Sequence, residues 1–335
     1  MKRWIFTALS FCAVIGVSVY AVRSGPQGVD LAIPLRAHLL AFAAFVAEVL
    51  ARSLKLTWSA KAVGARLPLS TSLRTSLGGD FGASITPARM GAEPARFLIL
   101  AEAGTPAADA MVILYTELFF EAISLAIVVA AVAVIFHASG RAFAAMLGVV
   151  GGYALFVVGL GVLGFILSRR NVRDEPPTWA QRVRLHGRRW AIVQRWFERV
   201  RTTVDAFKEM RFGWASLSLL ASITHVAARF TILPAIVYST TTTPVPLSPL
   251  VIWPLGIIYG AGVVPAPGGG GAVELAFRAA LGSVIPAHAF ASALVWWRFY
   301  TFYLYIVLGG LVAGNTALRA VRKAEDMEEE FERGE

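Results

Sequence analysis

Across 335 residues the chain is 57% hydrophobic and only 16% charged, with a mean hydropathy of +0.64, which excludes a water-soluble globular domain of this size. The formal charge of +10 suggests nucleic acid at first, but twelve of the 31 Lys and Arg lie between Arg169 and Arg211 beside five acidic residues, which describes one basic loop. Such a loop next to apolar spans belongs against anionic lipid on the cytoplasmic face, so membrane lipids are the expected partners and nucleic acid is not.

In chain order, six stretches approach or exceed the roughly 20 apolar residues a membrane span needs: 4–22, 33–50, 107–136, 142–167, 214–238 and 287–313. Lys2 and Arg3 ahead of the first also fit a cleaved signal ending near Ala21, although a run long enough to span, with more spans behind it, favours a retained anchor. Cys12, the single cysteine, lies in this run, so neither an intrachain disulfide nor a thiol metal cluster is available. Positive charge places Lys2, Arg3, Arg52, Lys55, Lys61, Arg66, Arg74, the 169–211 loop, Arg319, Arg322 and Lys323 inside, with both termini in the cytoplasm of a bacterial-type inner membrane.

Between Arg74 and Ala107 the chain then has to start and finish inside, and between Pro249 and Pro286 it has to start and finish outside. Each stretch is short for two full spans and carries Gly and Pro at its centre, so two re-entrant helical hairpins are predicted; if they cross, the six spans become eight. The expected fold is an all-α polytopic membrane protein with one transmembrane domain over 1–318 and a charged tail over 319–335. Its first half covers 33–168 around a hairpin at 67–103, and its second covers 214–313 around a hairpin at 249–286. In the intervening loop of 169–213, Trp190, Val193, Phe197, Val200, Val204 and Phe207 recur at three and four residues opposite Arg188, Arg195, Arg199 and Arg201. That describes an amphipathic helix, lying on the inner leaflet or packed on the end of the bundle. The tail, with Glu325, Asp326, Glu328, Glu329 and Glu330, reads as a solvated helix or a disordered end.

The two hairpins also match in sequence. Pro87 and Pro267, Gly91 and Gly271, and Pro106 and Pro286 share one offset in the numbering, while Glu93 and Glu274, and Glu117 and Arg298, share an offset longer by a single position. Chance matching among Gly and Pro would produce some of this. The charge bias, which does not depend on the alignment, inserts the hairpins from opposite sides and so makes the repeat an inverted one, as in many secondary transporters.

Ionisable groups in apolar segments cost about 3 kcal/mol or more at a helix centre and therefore need a partner, a cavity or a task. Arg89, Glu93 and Arg96 fall in the first hairpin, Glu274 and Arg278 in the second, and Glu117, Glu121 and Arg298 in the spans that follow. Mutual pairing that only holds the hairpins together is the plain structural reading. The functional reading is that Arg89, Arg96, Arg278 and Arg298 offer planar forks to a phosphate, with helix starts after Pro87 and Pro267 adding backbone N–H groups. The four glutamates then balance the empty site or exchange protons. Gly268 and Gly269 belong to a Pro-Gly-Gly-Gly-Gly run that lacks a following Gly-Lys-Ser or Gly-Lys-Thr, so tight helix approach explains them better than nucleotide binding. The five histidines form no zinc pattern, and neither metal nor cofactor is expected; for His225 and Arg229, packing is the plainer reading and facing the site the alternative.

Trp58, the run Thr86-Pro87-Ala88-Arg89 with Gly91, Glu93 and Arg96, and later Pro265, Pro267, Gly268, Gly269, Glu274 and Arg298 resemble the lysylphosphatidylglycerol synthase transmembrane region family over about 31–313. The resemblance implies a membrane domain of the kind that flips lipids in bacterial multiple peptide resistance factors, and a family with many stand-alone members of unassigned function. Two positions depart from its pattern: Ala92 is inserted before Glu93, and Glu117-Leu118-Phe119-Phe120-Glu121 stands where Glu-Arg-x-x-Asp is frequent. No aminoacyl-transfer domain follows the last span, so lysine transfer is not expected of this chain alone. The expected function is movement of a lipid with an anionic headgroup, a phospholipid or polyprenyl phosphate, between leaflets. The alternatives are a membrane enzyme, or enzyme subunit, acting on a lipid-linked phosphate or sugar, with Glu93 or Glu274 as base, and a scaffold. A homo-oligomer or a partner enzyme is compatible with each.

Overall fold

A computed structural model describes residues 31–137, 140–169, 188–264, 266–316 and 319. The predicted first span at 4–22 and most of the charged tail lie outside these residues. Every regular element within them is helical.

Helix α1 (Leu35–Ala62) begins after Pro34, and the same signal recurs: α2 (Leu69–Ile85) follows Pro68, and α4 (Ala107–Phe136) follows Pro106. Likewise α8 (Leu247–Gly260) follows Pro246 and α10, starting at Ala287, follows Pro286. Proline fixes φ and has no N–H to give an upstream helix, so each one ends one segment where the next starts. The remaining helices are α3 (Ala92–Glu102), α5 (Arg141–Ser168), α6 (Arg188–Lys208), α7 (Phe212–Thr240) and α9 (Ala272–Leu281). After Arg298, α10 passes through a π-helical turn, Phe299–Tyr303, and continues to Thr316.

Four of these helices, Ala107–Phe136, Phe143–Ser168, Phe212–Thr240 and Ala287–Thr316, are long and apolar enough to cross a membrane. At 1.5 Å per residue the 28-residue α1 is about 42 Å long, enough to span as well. The positive-inside reading had counted Arg52 and Lys55 as loop charges; both are instead buried within α1, because the helix runs on twelve residues beyond the apolar stretch that announced it. Against α7, α1 makes the most extensive helix contact in the fold, through small polar residues that let the backbones approach. Ser59 and Ser218 hydroxyls lie 2.8 Å apart, and Ser218 donates to the Lys55 carbonyl at 2.9 Å. By contrast α5 is peripheral, with Leu155 and Phe156 on an open apolar surface.

The loop helix α6 packs on the bundle rather than standing clear of it. Phe207 meets Tyr115 and Phe119 of α4 edge-on at centroid distances of 5.6 and 5.1 Å, and Val200 and Val204 lie against Gly164 of α5. Ile192 and Trp196 remain exposed.

Two helical hairpins lie at 69–102 and 247–281. In the first, α2 and α3 are joined by a 3₁₀ turn, Pro87–Arg89; in the second, α8 and α9 are joined by two, Ala261–Val263 and Pro267–Gly269. Their tips touch. Ala88 and Arg89 have φ of 49° and 59°, and Gly268 and Gly269, their counterparts at the offset that relates Pro87 to Pro267, have 59° and 67°. The left-handed pair thus recurs at the spacing of the prolines, free of steric cost where the residues are glycine and strained by about 1–3 kcal/mol at each of Ala88 and Arg89.

The first hairpin closes on two glycines. A Cβ on Gly82 would stand 2.5 Å from the Gly91 carbonyl oxygen, and Thr86 fastens the same place, donating to the Gly82 carbonyl and accepting from the Gly91 N–H, both at 2.8 Å. Gly82→Leu is therefore expected to force the arms apart and cost about 1–3 kcal/mol or more, as an over-packed core does. Gly148→Leu, with nothing within 4 Å, should be silent. Thermal unfolding in detergent micelles compares the two.

Candidate functional site

Helix spacing builds the site. On α1, Glu48, Arg52 and Lys55 stand at i, i+4 and i+7 and so share one face; Glu117 with Glu121 on α4, and His225 with Arg229 on α7, are spaced by four. Asp80 comes from α2, Arg89 from the first turn, and Glu93 and Arg96 from α3. These elements enclose a cavity of about 250 Å³ lined by Arg52, Ser76, Asp80, Arg89, Glu93, Arg96, Glu117, Glu121, Tyr153, His225, Arg229 and Tyr259, among others.

Its charges form two linked groups. Lys55, fully buried, lies 2.8 Å from Glu117 and 3.0 Å from Glu121. Arg96 joins Glu117 to Glu93, the latter at 3.0 Å, and Tyr259 donates to Glu121 at 3.2 Å. In the second group Arg52 pairs with Asp80, and Glu48 accepts from the Tyr305 hydroxyl. The Arg52 and Arg229 guanidinium centres stand 5.3 and 5.7 Å from the Tyr305 ring centroid, within cation–π range.

Pairing is tight in the first group and loose in parts of the second. Among the described residues the one carboxylate near Arg89 is Asp80, at 3.8 Å, and the one near Arg229 is Glu48, at 4.0 Å; Arg229 also donates to the Thr301 carbonyl at 3.4 Å. Nε of Arg52, Arg96 and Arg229 and Oγ of Ser76 are enclosed in the wall without a hydrogen-bond partner among the described residues. Four arginines line one cavity, two of them loosely paired, which suits a ligand rich in acceptor oxygens.

Of the residues singled out from sequence, Arg89, Glu93, Arg96, Glu117 and Glu121 meet here, with Gly91 and Pro87 shaping the turn that carries Arg89. Glu274 and Arg298 lie elsewhere: they pair with each other at 2.7 Å, while the second oxygen of Glu274 accepts the Gly271 N–H at 2.7 Å and caps α9. Arg298 lies over the Phe302 ring at 4.3 Å, and that ring closes on Gly268. Pro267, Gly268 and Gly269 form the second tip, and Arg278 sits half-buried on α9; Gly268, Gly269 and Arg278 do not line the cavity. Among the described residues, sequence reasoning did not assign Glu48, Arg52, Lys55, Asp80, Tyr259 or Tyr305 to the site. The i, i+4, i+7 spacing of the first three within an apolar helix was the available signal.

The family described as lysylphosphatidylglycerol synthase TM region matches the chain over residues 5–309. A search among curated proteins finds no match.

Proposed function

Starting from a chain that belongs to the lysylphosphatidylglycerol synthase transmembrane region family, we propose that it moves a lipid with an anionic, phosphate-containing headgroup between the leaflets of an inner membrane. One observation carries this reading: within a bundle of apolar helices, a polar cavity is lined by the four arginines Arg52, Arg89, Arg96 and Arg229, of which Arg89 and Arg229 are loosely held. A phosphate offers several acceptor oxygens to planar guanidinium forks, and a low-polarity surround strengthens each such bond. The headgroup occupies the cavity while the acyl chains remain among the apolar helix faces outside it.

Movement between leaflets needs the cavity to open alternately to either side. We read the two hairpins as re-entrant and entering from opposite faces, the halves forming an inverted repeat. Three observations support this: the hairpin tips touch, their left-handed residues recur at the offset of the hairpin prolines, and the helix after each hairpin starts at Pro106 or Pro286.

Reconstitution in vesicles with labelled phospholipids or polyprenyl phosphates tests the reading by following leaflet exchange and chemical conversion together. Exchange without conversion is expected. Conversion would favour a lipid-modifying enzyme, and neither, across the lipids tried, would favour a scaffold. Orientation is tested separately: in a Cys12→Ser background, Arg199→Cys on the exposed face of α6 should react with an impermeant thiol reagent only after the membrane is opened. Labelling of intact cells would reverse the topology.

A further inference from the structure

We propose that Glu48 and His225 form a proton-binding site that couples lipid movement to a proton gradient, by competing with Arg229 for one carboxylate oxygen; this rests on the transport reading above. The ring orientation of His225 is fixed by its own helix. Its Nδ1 lies 3.1 Å from the Ser222 carbonyl oxygen, which only accepts, so Nδ1 carries the hydrogen and the neutral ring turns a lone pair outward at Nε2. That lone pair faces Glu48 Oε1 at 3.9 Å. The carboxylate is fully buried, its other oxygen is taken by Tyr305, and Oε1 has no hydrogen-bond donor. Two buried acceptors thus face each other, and one proton completes the pair: it binds Nε2, forms an N–H bond directed at Oε1, and takes the pair from a net charge of −1 to 0.

No other carboxylate of the site is placed this way. Glu117 and Glu121 are held by Lys55, Asp80 by Arg52, Glu93 by Arg96, and Glu274, outside the cavity, by Arg298. Proton exchange, one of the two roles the sequence leaves open for Glu93, Glu117, Glu121 and Glu274, thus falls to Glu48 and His225 instead.

Glu48 Oε1 also lies 3.8 Å from Arg52 Nε and 4.0 Å from Arg229 Nη1. His225 and Arg229 are one helical turn apart, and both line the cavity. When His225 donates to Oε1, Arg229 is left for a headgroup phosphate while Arg52 stays on Asp80; when His225 is neutral, Arg229 returns to Glu48. Proton and anion then bind with positive coupling, which is reciprocal. The charged groups facing the pair are Lys55 and Arg52 on α1, Glu121 on α4 and Arg229 on α7, with Tyr305 on α10.

The test uses the full chain in phosphatidylcholine vesicles carrying a small share of fluorescent phosphatidylglycerol, with a pH gradient imposed. For one proton per lipid, a gradient of one pH unit should bias the leaflet distribution up to about tenfold in the wild type. In His225→Gln and Glu48→Gln, any exchange that remains should ignore the gradient. A wild-type distribution indifferent to the gradient, or a bias that survives in both variants, overturns the proposal while leaving transport intact. If the wild type exchanges no lipid, or neither variant does, nitrogen-15 spectra of His225 in micelles decide. Titration between about pH 4 and pH 9 that Glu48→Gln displaces supports the proton site even where transport fails, and no titration in that range removes it.

Discussion

Arg89→Ala should abolish leaflet exchange and leave the fold intact. Arg89 sits at the tip of the first hairpin and lines the cavity, about one-third of its side chain is exposed, and among the described residues its one ion pair is the 3.8 Å approach to Asp80. Asp80 is also held by Arg52, so removing Arg89 leaves no buried carboxylate without a cation. Alanine tolerates the left-handed backbone no better and no worse than arginine, so the turn keeps its strain. What is lost is a guanidinium able to make paired, charge-assisted bonds to phosphate, each worth about 1.5–3 kcal/mol, or roughly tenfold to a hundredfold in binding. Arg89→Lys keeps the charge and loses the fork, and should recover only part of the rate. Unfolding temperature in micelles and exchange rate in vesicles are read on the same preparations. A variant that exchanges lipid at the wild-type rate would remove Arg89 from the site, and one that unfolds early would make its role structural.

The hairpins were legible because glycine and proline occur together with charge in two short apolar stretches, and the structure has helices at 69–85, 92–102, 247–260 and 272–281 around those interruptions. Arg89, Glu93, Arg96, Glu117 and Glu121 were legible because charge inside an apolar run needs an explanation, and they do share one cavity. Glu48, Arg52 and Lys55 were hidden by their position. They fall at the edge of an apolar run, where the positive-inside rule reads arginine and lysine as the start of a loop, and only the continued helix to Ala62 shows them to be interior. Asp80 stands in Gly-Gly-Asp-Phe-Gly, a sequence with no apolar contrast to mark it. The common offset of Glu93 to Glu274 and of Glu117 to Arg298 suggested that Glu274 and Arg298 repeat the first site in the second half. Local chemistry uses them differently: Glu274 caps a helix that begins at Gly271, and the ring of Phe302 fills the space beside Gly268. A left-handed pair thus recurs at the two tips, while the hairpin charges that line the cavity come from the first, which a pairing of letters does not distinguish.

Glu274 and Arg298 are expected to act on stability. The arginine Nε donates to Glu274 Oε1 at 2.7 Å, and both residues are more than nine-tenths buried. Arg298→Ala leaves a carboxylate inside the bundle with the Gly271 N–H as its remaining close donor, and breaking one side of such a pair costs about 3–5 kcal/mol. The same change removes the guanidinium that lies over Phe302, and with it a contact just ahead of the π turn of α10. Arg298→Ala should therefore lower the unfolding temperature in micelles far more than Arg89→Ala does. Joining it with Glu274→Gln should recover much of the loss, because the neutral amide keeps an acceptor for the Gly271 N–H and no buried charge is left unpaired. A cation that touched the headgroup would behave in the opposite way, since removing its acidic partner cannot restore a bond to phosphate. Stability rescued in the double variant, with exchange rising alongside it, marks the pair as the fastening of the second hairpin. Exchange that stays at zero in a fully stable double variant would instead place Arg298 on the lipid's path.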